Sequence, residues 1–310
     1  MKKWLALVVA VVLAFSFVSQ AFAAPKNANA KNSVAKHAVS KPATPKKIQS
    51  SCGAATGNAA SPIKICNTAD LNLLNQYPSS HFILKKSVAA DSTWTPVPTF
   101  SGVLNGSNKE ISGLKRNLFA KNNGKIKNLT LRDVNISNGD SRGALANENN
   151  SLISNVKVYG RVYYVTGEVG GIVQTNNGII ERSASYAEVN GKANVGGIVS
   201  INNQTGIIRS SSFGGSTGAY ANTGGITGIN LGKITNCVAW GQVTIVDNSG
   251  GGVAGVNHES GVIINTVSAG DVTYTQGDGT KVGPFVGVNT GKIIKPIILN
   301  HVYHNGVLVQ

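Results

Sequence analysis

Acidic residues, cysteines and long apolar runs are all scarce in this 310-residue chain. Thirteen acids stand against 28 lysines and arginines, the first acid is Asp70, and the formal net charge is +15. Acid–base hydrolysis and calcium binding both need clustered carboxylates, and this supply is thin. Three cysteines and five histidines share no metal-ligand spacing, so no metal and no cofactor is expected. Only one apolar run is long, Trp4 to Val18, and it falls short of the ~20 residues that a membrane span needs. Lys2 and Lys3 before it and Ala21-Phe22-Ala23 after it make residues 1–23 an export signal, cut after Ala23. No second such run follows, so the mature chain is expected to carry no transmembrane segment. It is expected to be soluble and extracytoplasmic, either secreted or attached to a bacterial envelope.

Charge is unevenly spread. Between Pro25 and Lys47 lie Lys26, Lys31, Lys36, Lys41, Lys46 and Lys47, with no acid and no aromatic residue. Such a tract cannot bury enough surface to order itself, so residues 24–50 read as a flexible cationic linker. It serves either as a solvated spacer or as an electrostatic attachment to an anionic cell-envelope polymer or lipid surface. Nucleic acid is not an expected partner, because no recognition motif is present. Cys52 and Cys66 flank a Gly/Ala/Ser-rich segment, and an oxidising compartment would let them bridge. Cys237 stands where neighbouring copies of a repeat have Ser183, Ser211 and Thr266, which marks a small interior residue.

What the chain has in quantity is glycine, 37 residues of it, much of it in a repeat. Seven phrases read NLFAKNN, GALANEN, GGIVQTN, GGIVSIN, GGITGIN, GGVAGVN and GPFVGVN. They start at Asn117, Gly143, Gly170, Gly196, Gly224, Gly251 and Gly283, at offsets of 26, 27, 26, 28, 27 and 32 residues. A near-constant period of this length marks a solenoid, whose coils bury their apolar faces by stacking. In the fifth copy three short runs of period-2 character, Ile226–Ile229, Lys233–Trp240 and Gln242–Val246, are separated by Asn and Gly. That is the signature of strands in a three-sided coil. The fold class is therefore all-β, a parallel, right-handed β-helix of about seven coils.

Columns run through the copies. Ile126, Ile153, Ile180, Ile208, Ile234, Ile263 and Ile293 recur at one position; Asn128, Asn155, Arg182, Ser210, Asn236, Asn265 and Lys295 follow two residues later. A third column reads Val134, Val162, Val189, Thr217, Val243, Val272 and Val302. At a strand spacing of ~4.8 Å the apolar columns become interior ridges, and seven coils make a rod of roughly 30–35 Å. The phrase-ending residues Asn123, Asn149, Asn176, Asn202, Asn230, Asn257 and Asn289 form a structural asparagine ladder, placed at corners facing outward. Asn tolerates the left-handed backbone of a sharp turn, and its amide both donates and accepts, so copies one coil apart can bond.

The unit GGITGINLGKITNCVAWGQV resembles the GLUG repeat of bacterial surface and secreted proteins, which occurs in extracellular peptidases and adhesins. The resemblance runs from about Leu114 to Lys295. It extends to a leader that includes Ile65 to Leu71, Phe82-Ile83-Leu84, Trp94 to Val97, Phe100 to Gly106 and Ile111 to Leu114. It implies that Thr68 to Gln76 form a short helix, with Asn67 or Thr68 as N-cap and Leu71 and Leu74 turned inward, plugging the open end of the solenoid. The organisation is then signal 1–23, linker 24–50, N-terminal cap 51–113, repeats 114–296, and a cap or edge at 297–310. No catalytic domain of the larger members is recognisable.

The search for chemistry returns little. His258-Glu259 would need a second histidine at Val262 to bind zinc on a helix. The outward column Arg161, Glu188, Ser216, Gln242, Asp271, His301 has no two acids adjacent. Candidate ligand-binding residues are the aromatic column Tyr159, Tyr186, Trp240, interrupted by Gly214 and Ala269, whose flat rings suit sugar faces or protein partners. Others are Tyr274, Asp278 and Lys281 in an insertion, Tyr274 to Lys281, expected to bulge from the rod. The expected function is that of a non-catalytic, exported β-helical module, adhesin-like or structural. Its expected partner is an anionic envelope polymer, a glycan or another surface protein. The competing expectation is a carbohydrate-active enzyme, a polysaccharide lyase or glycosidase, on one face of the same solenoid.

Overall fold

A computed structural model describes residues 46–137 and 139–310. The export signal, and the lysine tract as far as residue 45, lie outside the described residues. The remainder is an all-β parallel solenoid of about eight turns with a short helical segment at its N-terminal end.

One coil can be followed from Thr227–Asn230 through Lys233–Thr235, Val238–Ala239, Gln242–Ile245 and Gly250–Gly251. Each strand pairs in parallel with its equivalent one repeat on, as Lys233–Thr235 does with Val262–Ile264. One wall is an eight-stranded sheet running from Val97–Phe100 to Val286–Asn289. A five-stranded strip at the glycine pairs closes a corner. There the backbones approach so closely that a Cβ on Gly196 would stand 1.8 Å from the Val199 carbonyl oxygen. Only glycine fits. The first strand of the eight-stranded wall lies within the segment assigned to the cap, so stacking starts before the first recognisable repeat.

The isoleucine column aligns rung upon rung, from Leu104 through Ile126, Ile153, Ile180, Ile208, Ile234, Ile263 to Ile293. All but Ile293, on the last coil, are fully buried. Burial of each such side chain contributes about 1.5–3 kcal/mol. The valine column differs in its first coil: Ile136, and not Val134, pairs with Val162, while Val134 pairs with Gly160. A register shift between Val158 and Gly160 absorbs the extra residue, with Gly160 at a φ of +124°.

Asparagine corrects the sequence expectation in three ways. The ladder begins at Asn122, not Asn123: Phe119 pairs with Ala146, which places Asn122 beside Asn149. From there it runs without a break, each Nδ2 donating to the next Oδ1, through Asn149, Asn176, Asn202, Asn230, Asn257 and Asn289 at 2.7–2.9 Å. It faces inward, and every member but Asn289 on the last coil has no exposed surface. Nor is it the left-handed column. Positive φ belongs to Asn128, Asn155, Arg182, Ser210, Asn236, Asn265 and Lys295, at +48° to +55°. Asn123 joins a separate outer ladder with Asn150, Asn177 and Asn203, whose amides donate in the opposite direction along the rod.

At the N-terminal end, Cys52 and Cys66 form a disulfide with a Cα–Cα distance of 6.2 Å. Ile48–Ser50, placed in the linker from sequence, pairs antiparallel with Gly53–Ala55. The helical segment has two one-turn pieces, Thr68–Leu71 and Leu73–Gln76, with Asn67 as N-cap and Leu71 and Leu74 buried. Asp70 ties these parts together. It accepts from Ser51 N at 2.8 Å, the Ser51 hydroxyl, and Cys66 N at 2.9 Å. At the other end Val302–His304 pairs with Val307–Leu308 as a hairpin, leaving Ile297, Ile298, Leu299, Val307, Leu308 and Val309 exposed.

Candidate functional site

Pairing along one wall places Tyr186 after Tyr159, then Gly214, Trp240, Ala269 and Leu299 on successive rungs. Arg132 precedes them. The Tyr159 and Tyr186 rings stack at 4.8 Å with an interplanar angle of 12°. That separation equals one rung of a parallel sheet, so the two rings lie across the rod axis. Each covers a face of the other, which leaves their edges outward. The Arg132 guanidinium lies over the open face of Tyr159, 4.5 Å from its centroid, and its Nε donates to Glu110 at 2.9 Å. A cation so held gains from the ring quadrupole and stays in place.

Trp240 completes the strip. Gly214 does not interrupt the aromatic column: the indole reaches back across it and meets Tyr186 edge-on, at 5.9 Å and 64°. A Cβ on Gly214 would stand 2.2 Å from Trp240 Cζ2, so only glycine allows this placement. Trp240 stays 44% exposed. Of the three expected flat rings, this one alone offers a face. Burial and the neighbouring Tyr159 push the Tyr186 phenol above its ordinary pKa, against a hydrogen bond with Ser212.

The flanking column alternates in character. Arg161 donates twice to Glu188, at 3.0 and 2.9 Å, and the His301 backbone donates to Asp271 at 3.1 Å. Between them lie Ser216 and the exposed Gln242, for whose side chains the described residues supply no hydrogen bond. Before the left-handed corner at Arg182, at the end of the strand Ile179–Glu181, Glu181 accepts from Arg209 at 2.9 Å and from Ser154 at 3.0 Å, with Arg182 alongside. Burial works against its charge, but these partners outweigh that and hold its pKa below the ordinary carboxylate range. Among the described residues, the carboxylates of this wall are engaged by cations, amides or hydroxyls.

Tyr274, the first residue of the insertion, differs from expectation, while Thr275 to Asp278, Thr280 and Lys281 are exposed. The Tyr274 ring is 7% exposed, packs with Val243, Ile245, Val272 and Val302, and stacks on His304 at 4.4 Å. It anchors the loop and is not displayed. Asp278 accepts from Thr280 N and Oγ1 at 2.9 and 2.7 Å, an arrangement that closes the turn. Lys281 is exposed nearby. Elsewhere, a shallow cavity of about 300 Å³ is lined by Pro96, Pro98, Arg116, Ala120, Asp140 and Asn147. The ligand-type atoms of Cys52, Cys66 and Asp70 lie within 4.8 Å of one another, but the sulfurs are bonded to each other and the carboxylate is taken by backbone donors. That group does not fit a metal.

Sequence reading found the three aromatics but missed Arg132. The signal was present: Arg132 precedes Tyr159 by 27 residues, one repeat. Among the described residues no helix is long and apolar enough to cross a membrane.

Comparison with known proteins places this solenoid. The family model of the M26 IgA1-specific metallo-endopeptidase N-terminal region matches residues 71–160, less than a third of the chain. The solved structure of an IgA1 protease is similar at a TM-score of 0.57 and 20% identity, over 72% of this chain and 20% of that one. The chain thus spans about a fifth of the length of that protease. A Bacteroides ovatus protein designated a candidate immunoglobulin A1 protease is similar at a TM-score of 0.55 and 17% identity, over 83% of this chain and 81% of that one. At these identities the likeness is one of fold. No curated protein matches the sequence.

Proposed function

We propose that this chain is an exported, non-catalytic β-solenoid acting outside the bacterial cell as a binding module, adhesin-like or structural. The observation that carries the reading is the fixed strip Arg132–Tyr159–Tyr186–Trp240, which holds an aromatic face in solvent on a rigid wall. Exposed aromatics beside arginine are the side chains that anchor recognition surfaces. Support for location comes from the sequence signal, the GLUG-like repeat and the similarity to a region of extracellular peptidases. The similarity covers a small part of the IgA1 protease, so the activity in that name is not carried over. A polysaccharide-cleaving enzyme finds no favour in the geometry, since Glu188 and Asp271 belong to separate pairs.

The lysine tract would add electrostatic retention on anionic envelope material. Removing residues 25–47 should then weaken that retention, most at low salt. The module reading is tested by incubating the purified chain with bacterial envelopes, host-surface extracts, immunoglobulin A1 and soluble polysaccharides. Saturable binding without release of peptides or reducing ends is expected. Cleavage of any of these, or binding to none, would refute it.

A further inference from the structure

The geometry points to a neutral glycan as the ligand of this wall, with the outer face of Trp240 as its stacking platform; the inference rests on the binding-module reading. Three observations carry it. The indole is held by Tyr186 on one side and by the space above Gly214, yet the residue remains nearly half exposed. A flat, immobilised ring with one open face suits the apolar C–H face of a sugar ring and loses little entropy on binding.

The rim beside it is made of uncharged hydrogen-bonding groups. Gln242 stands two residues after Trp240, at the start of the next strand, and Ser216 pairs with it one rung back. Neither side chain has a partner among the described residues, so both can meet sugar hydroxyls, which donate and accept alike.

Charge argues against an acidic sugar here. The cations of the strip are already matched, Arg132 by Glu110 and Arg161 by Glu188, and they sit toward the Tyr159 end, not beside Trp240. An apolar protein partner would seek a broader hydrophobic surround than the rim of Ser216 and Gln242. The stacked tyrosines offer edges, so the site is a single platform and not a flat array.

The test is binding of the full exported chain to an immobilised array carrying neutral and acidic glycans, compared with Trp240→Ala, Trp240→Phe, Gln242→Ala and Tyr163→Ala. Tyr163 is exposed outside the strip and serves as the control. Retention on neutral glycans is expected, weakened at least about tenfold by Trp240→Ala, largely kept by Trp240→Phe, and unchanged by Tyr163→Ala. Retention on acidic glycans alone, on no glycan, or undiminished by Trp240→Ala would overturn the inference. If Trp240→Ala still binds extracellular material normally, the glycan platform falls and the module reading survives. If the wild-type chain binds nothing, both fall.

Discussion

The Trp240 indole lies over Gly214, its Cζ2 only 2.2 Å from where a Cβ of that residue would stand. The glycine one rung back is what lets the indole reach Tyr186 and keep an open face. Gly214→Val should therefore swing the indole away while leaving the wall paired, because the obstructed atoms belong to a side-chain end. The loss is expected to be about 1 kcal/mol, the value of one aromatic edge contact. Near-UV circular dichroism should change, and far-UV should not.

The inner asparagine ladder should be sensitive to truncation and the outer one tolerant. Asn202 accepts from Asn176 and donates to Asn230 and to the Gly206 carbonyl, all without solvent. Asn202→Ala orphans a donor on Asn176 and the Asn230 Oδ1, each costing about 1–3 kcal/mol when buried, while the Gly206 carbonyl keeps the Lys233 amide. The melting temperature should fall steeply. Asn203→Ala, on the outer ladder, should stay within about 0.5 kcal/mol of wild type.

Acid should loosen the N-terminal cap through Asp70. Burial raises its pKa, but the bonds from Ser51, Cys66 and Asn67 outweigh burial and hold the carboxyl below its ordinary value. A depressed folded pKa means stability that is fully present above the unfolded value, about 3.9, and lost as pH falls through the folded one. Asp70→Asn should lower stability at pH 7 by roughly 1.5–3 kcal/mol and flatten the acid limb of a stability–pH curve. A mutant curve parallel to wild type would contradict this.

Cys237 should be inert. Burial pushes its thiol up to about 12, and Sγ donates to the Thr235 carbonyl at 3.3 Å. Ser183, Ser211 and Thr266 make the same backbone contact two residues back in their own coils. Alkylation by iodoacetamide at pH 8 is expected only after unfolding. Cys237→Ser should shift stability by less than about 1 kcal/mol, as read from denaturant midpoints.

Period and alternation made the solenoid legible, because seven isoleucines at one phase of a 26–32-residue repeat have few other uses. Individual registers were harder. NLFAKNN ends in two asparagines, and which one turns inward depends on Phe119 filling the core beside Ala146. The left-handed corner was hidden because Arg182, Ser210 and Lys295 hold it as well as Asn. The same residue type serves ladder and corner, so composition could not separate them.

The site was legible as a column but not as a surface. Counting along the repeat makes Gly214 a gap, whereas in three dimensions it is the space that the indole fills. Tyr274 looked like a displayed ring because its loop is long and polar. Its burial against Val243, Val272 and Val302 follows from its place at the end of the strand Val272–Tyr274, two residues on from buried Val272 and paired with Ile245. Ring orientation needs the rung spacing and the neighbours, and neither is local in sequence.

Fluorescence offers the most direct check, since the emission difference between wild type and Trp240→Ala belongs to a residue 44% exposed on the wall. Titration with the neutral oligosaccharide best retained on the array should shift that difference emission to the blue and saturate with the binding isotherm. Ligand that binds fully while the Trp240 emission stays unchanged would show that the contact lies elsewhere on the rod.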